Sequence, residues 1–427
     1  MFFTILIFLA LGGGLIAAWK RPPVAVALLL CMFGIEQYAQ SVSPFFVQHP
    51  IVINAVVAFA VLIALLKKHW KTRLHRIYYG DVGLAVIILF AYAAISTLWS
   101  PIPDVSLKYY LGATPYLVLF VVVAPLIIVA TKDMYEMLEA LVVIGALVSF
   151  VLLFFTEWEG RGVVLAGNED ADWHTANPLA ASEMAGYMGL AAAFLPLPAR
   201  YMQWDVARWA LVLLAIALAI KTGSRGQTVF LLVSLAVFYV MRTKFTVKGL
   251  VSVLLPAILV AFIFQYAIDL YWADSDRWGD EMVGHALEAR TSMAAQLLHS
   301  WWRGGGFTFL FGLGNTASFD PNIAGFYPHV VPLEILAEEG LVGFLVFIVI
   351  TYLVGRSFLK VMDLKSPKHS EIALLLGALF LYALLLSFKQ GSLVGGPSLF
   401  LFAALTGRWY LISKMSVRVR GKQEVTQ

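Results

Sequence analysis

Charge is scarce in this chain. Lys, Arg, Asp and Glu make up 13% of its 427 residues, and 61% are hydrophobic. Soluble domains carry about 25% charge. Mean hydropathy is +0.83. A water-soluble fold of this length has too little polar surface to cover so much apolar side chain. That excludes a soluble enzyme and implies a polytopic membrane protein. Cysteine is nearly absent: Cys31 stands alone inside an apolar run, which excludes an intrachain disulfide and leaves core packing as its role. Metal-ligand spacings of the His-x-x-x-His or Glu-x-x-His kind are missing from the surface argued below to face outward, as is any cysteine cluster. No phosphate-cradling Gly-x-x-x-x-Gly-Lys loop occurs, so neither ATP chemistry nor another cofactor is expected. Nothing marks a nucleotide-sugar domain either. The segment Met1–Trp19 is apolar without a basic n-region, and is expected to be a retained first span.

What the chain has is apolar runs. Their lengths, near twenty residues, are too great for the strands of a membrane barrel and fit helices. The runs predict helices near 2–18, 23–39, 50–66, 82–98, 110–130, 135–156, 183–198, 205–220, 226–241, 249–268, 331–355, 371–388 and 396–412. The expected fold is an all-α transmembrane bundle of about 12–13 spans. Residues 1–268 hold ten spans, 269–330 form one long extramembrane segment, and 331–427 hold the last three spans and a basic tail. Within the long segment, Asp280 to Trp302 predicts a helix with an apolar face of Met282, Leu287, Met293, Leu297 and Trp301. Gly304-Gly305-Gly306 is expected to end it.

Orientation follows from charge. Of the 30 basic residues, 22 fall on one set of loops, and only Lys108, Arg161, Lys221, Arg225, Arg277, Arg290, Arg303 and Lys389 fall on the other. The positive-inside rule makes the first set cytoplasmic. The second side carries about 18 of the 26 acidic residues, so its few cations stand against an acidic background. In a bacterial inner membrane that side is the periplasm. The sequence pI of about 8.9 does not imply nucleic acid, because the basic residues are spread over loops between spans, where lipid headgroups account for them.

On the outward side, three residues stand out. Arg225 lies in Thr222-Gly223-Ser224-Arg225-Gly226, a turn opening a helix, where backbone N–H groups and a guanidinium favour phosphate oxygens. In a plainer role it would snorkel at the interface. Arg290 lies mid-helix near His285 and Glu288, with Arg303 an alternative to it, and Lys221 a further supporting cation. His329 directly precedes a span, with Pro332 in the first helical turn. The helix dipole there favours a neutral imidazole, able to take a proton from a hydroxyl or simply to hydrogen-bond at the interface. Glu334 and Glu338 share a helix face and are candidates to orient His329 or a neighbouring helix, unless the helix starts outside the bilayer and leaves them wet.

Three stretches carry a resemblance to a known family: Ser96-Thr97-Leu98-Trp99-Ser100-Pro101, Thr222-Gly223-Ser224-Arg225-Gly226, and His329 followed after ten residues by Gly340-Leu341-Val342-Gly343. Over roughly residues 82–405 the chain resembles the O-antigen ligase and O-antigen polymerase superfamily of bacterial inner-membrane glycan transferases. The resemblance implies metal-independent, inverting transfer of a glycan from undecaprenyl pyrophosphate to lipid A-core or a related acceptor hydroxyl. Arg225 and Arg290 would bind the pyrophosphate, and His329 would be the base. Val330 stands where ligases of the family carry a small polar residue, so a polymerase of O-antigen or exopolysaccharide remains the alternative. A transporter is the alternative of another class. Against it stand the lack of an obvious inverted repeat, few midplane charges, and candidate residues gathered at one surface.

Overall fold

A computed structural model describes residues 2–69, 80–159, 162–167, 175–196, 202–243, 280–364 and 366–425. The expected span 249–268 lies outside the described residues, as do the side chains of His285 and Glu288. The chain folds as α-helices: α1 (Phe2–Lys20), α2 (Val24–Val42), α3 (Pro44–Gln48), α4 (Ile51–His69), α5 (Gly80–Ser96), α6 (Pro103–Leu117), α7 (Ala124–Ile127), α8 (Thr131–Phe154), α9 (Pro178–Phe194), α10 (Met202–Lys221) and α11 (Arg225–Arg242). Then come α12 (Asp280–Arg303), α13 (Gly305–Phe311), α14 (Val331–Glu338), α15 (Gly340–Met362), α16 (Pro367–Ser387) and α17 (Pro397–Val425). One antiparallel hairpin, β1 (Trp158–Glu159) with β2 (Gly162–Val163), pairs Trp158 with Val163. The fold is an all-α polytopic bundle, and nine helices among the described residues are long and apolar enough to cross a membrane.

The helices start and stop for local reasons. The Asn177 side chain accepts from Leu179 N at 3.0 Å and Pro178 fills the first turn, which opens α9. Asp133 Oδ2 accepts from the Val129 and Ala130 amides at 3.0 and 2.9 Å and opens α8. The same carboxylate pairs with Lys68 at 2.5 Å, joining the ends of α4 and α8. Lys67 hydrogen-bonds the Trp19 carbonyl beside it. Lys20, Lys67, Lys68 and Lys132 thus collect at one end of the bundle. His329 and the start of α11 lie at the other.

Burial divides the helices. The Pro367–Ser387 span is 67% buried within the molecule and the Phe2–Lys20 span only 17%. In lipid an outward apolar face costs nothing, so the peripheral helices keep Leu, Ile and Phe on the outside. The core sits around α9, α16 and α17, with Trp409, Tyr382, Phe194, Phe400 and Phe402 fully buried.

Three expectations change in detail. The run 110–130 belongs to a longer helical stretch that starts at Pro103, contains Pro115 and widens into a π-helical turn over Val118–Val123. The three glycines after Arg303 do end α12, but Gly305 and Gly306 open α13 rather than a loop. The run 331–355 is not one helix. It breaks between Glu339 and Gly340, because Gly340 takes a left-handed φ of 66°. The break lets the segment Gly312–Gly314 pack on the end of α14. Leu313 N donates to Ala337 O at 2.9 Å and Gly314 N to Glu338 O at 2.8 Å. The expected apolar face of α12 is present in Leu297 and Trp301, which form a small second core with Ala337 of α14. Trp301 stacks on Phe309 with ring centroids 5.1 Å apart. α12 is therefore seated on the helix that follows His329.

Candidate functional site

His329 is built to point somewhere. Its φ is +60°, one of two left-handed non-glycine residues among those described. A side chain there costs about 1–2 kcal/mol and persists only when its surroundings impose it. Pro328 before it is buried, and Val331 and Pro332 after it are buried at the start of α14. The ring lies 4.3 Å from the Tyr327 ring and 5.6 Å from that of Phe326, centroid to centroid. His329 and Tyr327 line a cavity of about 630 Å³. Ligand sites usually measure roughly 300–1,000 Å³.

Burial pushes the His329 imidazole below its ordinary value, and the Arg290 guanidinium pushes it further the same way. Both favour the neutral ring. The same guanidinium acts on the Tyr327 phenol, which burial pushes up. The Arg290 guanidinium therefore acts electrostatically on His329 from 39 positions earlier in the sequence. Arg303 closes α12 thirteen residues beyond Arg290, about 20 Å along the helix axis, and is exposed. It does not stand in for Arg290.

Arg225 is half-buried as the first residue of α11, after a turn in which Gly223 takes φ 62°. It is not on the cavity wall. Its helix reaches the wall through Gln227, whose amide hydrogen-bonds Gln390, a lining residue. Gln390 in turn donates to Glu183 Oε2 at 3.0 Å. Lys389 packs against Gly226, the residue after Arg225. Two cations from different parts of the chain thus flank the start of α11. Lys221 is exposed at the end of α10.

The glutamates after His329 are buried and work on the loops. Glu338 accepts the Thr316 amide at 2.8 Å on one oxygen and the Ser318 amide at 2.9 Å on the other. Glu339 accepts Asn315 Nδ2 at 3.1 Å, and Asn315 N donates to Ser96 Oγ at 3.1 Å. Glu334 Oε1 accepts the Leu393 amide at 3.0 Å. The open question of wet or buried glutamates resolves as buried. Their hydrogen bonds fix the loops around α14. Two of the three sequence stretches singled out above, Ser96–Pro101 and Gly340–Gly343, meet here on either side of Gly312–Thr316. His329 and Gly340 are the left-handed residues at the two ends of α14, which is what their spacing encodes.

Sequence reasoning missed the cavity's other wall. Glu36, Gln37 and Gln40 of α2, Asn54 of α4 and Glu183 of α9 all line it. Glu183 Oε1 accepts from Ser398 Oγ at 2.7 Å and from the Tyr187 hydroxyl. The available signal was the presence of carboxylates and amides inside otherwise apolar runs, since such residues face protein or water. A second, apolar groove of about 590 Å³ between α2, α6 and the start of α17 adjoins the cavity and shares Phe33, Tyr116, Gly395 and Pro397 with it.

No family model and no curated protein matches the chain. Among solved structures, it resembles a chain from a study of how a peptidoglycan synthase complex coordinates polymerization and crosslinking. The two are 14% identical, with a TM-score of 0.44, and the match covers 78% of this chain and 97% of that one. A likeness at that level carries no inference about activity.

Proposed function

We propose that the protein is a membrane glycosyltransferase that moves a glycan from a polyprenyl pyrophosphate to an acceptor hydroxyl, lipid A-core or a related glycolipid. The observation that carries this reading is a histidine held in a left-handed conformation on the wall of a cavity, with its neutral form favoured by burial and by Arg290. In the reaction, the acceptor oxygen attacks the anomeric carbon and its proton passes to His329. The bond from the anomeric carbon to pyrophosphate oxygen breaks, and the polyprenyl pyrophosphate leaves with the electron pair. Arg290 offsets the growing charge from the His329 side, and Arg225 is assigned the same task from the start of α11. The adjoining apolar groove, with Lys108 at its exposed edge, suits the prenyl chain. The resemblance of the three sequence stretches to O-antigen ligases and polymerases supports this assignment, as does the placement of the cations on the acidic side of the chain.

The test is transfer by the purified full-length chain in lipid nanodiscs, supplied with undecaprenyl-pyrophosphate glycan and core lipid. A glycan-core product supports the ligase form. Product only when a second lipid-linked glycan is the acceptor replaces it with a polymerase. No product with either acceptor sinks the transferase reading and leaves a transporter.

A further inference from the structure

The wall of the cavity formed by α2 and α4 has an unusual polarity. Each of its side-chain amide nitrogens has one acceptor in the protein. Gln37 Nε2 donates to the Asn177 carbonyl, Gln40 Nε2 to Glu36 Oε1 at 3.2 Å, and Asn54 Nδ2 to the Tyr116 hydroxyl at 3.1 Å. The acceptor oxygens opposite them are not. Gln37 Oε1 and Asn54 Oδ1 are buried and have no hydrogen-bond partner among the described residues. Gln37 is only 6% exposed and lines the cavity, as does Asn54. A buried carbonyl without a donor costs about 1–3 kcal/mol, so two of them on one wall mark a place completed by something that donates. Glu36 adds a carboxylate to the same patch. Phe33 and Tyr116, stacked with centroids 6.0 Å apart at 30°, supply an aromatic surface beside it.

We infer that this wall is a sugar-binding subsite, in which the hydroxyls of one hexose unit donate to Gln37 Oε1, Asn54 Oδ1 and Glu36 while its C–H face lies on Phe33 and Tyr116. Two unpartnered carbonyl oxygens and a carboxylate on one wall favour a ligand rich in O–H groups, and a flat aromatic surface suits the apolar face of a pyranose. Phosphate is disfavoured, because the patch carries the Glu36 carboxylate and no Lys or Arg among its described lining residues. The subsite rests on the transferase reading only for the source of the sugar. It would hold a glycan unit in the same cavity as His329, while the pyrophosphate stays with the arginines.

Binding separates the two ideas. The full chain in nanodiscs is mixed with methyl glucoside, methyl galactoside and methyl mannoside, and saturation transfer to each is measured by NMR, with ethanolamine as a cationic probe. At least one hexoside should bind to the wild type and to His329→Ala. Affinity should fall about tenfold in Asn54→Leu and in the near-isosteric Glu36→Gln. In the transfer assay, Glu36→Gln should raise KM for the glycan substrate more than it lowers kcat. Equal hexoside binding in wild type and both variants overturns the subsite. So does absent hexoside binding in the wild type, or a wall that takes ethanolamine alone. Transfer with unchanged KM in Glu36→Gln removes the subsite and keeps the transferase. Hexoside binding lost in Glu36→Gln, in a chain that transfers nothing, keeps the subsite and removes the transferase.

Discussion

Replacing Gly340 by alanine tests whether the joint behind His329 holds the site together. Gly340 sits at φ 66°, where any Cβ is strained by about 1–2 kcal/mol. It also has no room. A Cβ there would stand 2.5 Å from Leu310 O and 2.6 Å from Leu310 C, and closer still to Gly312 N, all of it backbone. Ordinary contacts are near 3.4 Å or beyond, so α14 and the Gly312–Gly314 segment must part by about an ångström. That opening removes Leu313 N–Ala337 O and Gly314 N–Glu338 O, each worth roughly 1 kcal/mol net. The total is about 3–4 kcal/mol. Gly355→Ala is the control: it lies mid-α15 with nothing within 4 Å of a built Cβ, and should be neutral or slightly stabilising. The measurement is thermal unfolding in detergent together with hydrogen exchange of residues 312–318. Gly340→Ala should lower the midpoint by several degrees and deprotect those amides. If it melts and exchanges like Gly355→Ala, the joint is not what fixes the loop, and the account of the His329–Gly340 spacing is wrong.

Other expectations follow from the same geometry. His329→Ala should reduce transfer by about 10²–10⁴-fold with the fold retained, and His329→Gly should melt about as high as wild type or higher, since φ +60° no longer strains the chain; wild-type turnover in either removes the base. The imidazole must be neutral to accept a proton, so the rate should rise with pH along a limb below 6.5, and Arg290→Ala should move that limb upward but not fully, because burial, the larger cause, remains. Its folded value lies below the unfolded one, so this group costs stability as pH falls through that window and nothing above it; a limb that stays in place in Arg290→Ala separates the two residues. Glu338→Gln replaces one of two acceptors of the Thr316 and Ser318 amides by a donor and should cost about 1–3 kcal/mol, read as a lower unfolding midpoint. Arg225→Lys should recover only part of the transfer lost in Arg225→Ala, because lysine lacks the bidentate fork; full recovery would make Arg225 a simple point charge.

The sequence exposed the bundle more readily than the site. Periodic apolar runs mark helices because lipid leaves backbone groups no other partner, so every described run is helical, though 331–355 is two helices and 110–130 includes a π-helical turn. The break inside 331–355 was hidden, because hydropathy does not register a left-handed glycine in an apolar segment. His329, Arg225 and Arg290 stood out as charged or titratable groups that the charge pattern assigns to one side. Their arrangement did not, since it depends on where α12 docks. Leu297 and Trp301 seat that helix on Ala337, which sets Arg290 where its charge acts on His329, with Arg303 about 20 Å further along the helix axis from Arg290. Glu36, Gln37, Asn54 and Glu183 were visible as polar residues within spans, yet nothing local showed that helices from three parts of the chain turn them into one cavity.

By itself, then, the amino-acid sequence determined that this is an all-α membrane protein with few cations in one set of its loops and one histidine at a helix start. Those are properties of composition and of local periodicity, which act over a few turns of chain. Tertiary structure alone decided which cation acts on the histidine, that the glutamates are buried and hold loops, and that two unpaired acceptors line the same cavity. Those outcomes come from long-range packing between helices, which decides whether each buried polar group meets a partner in the element beside it.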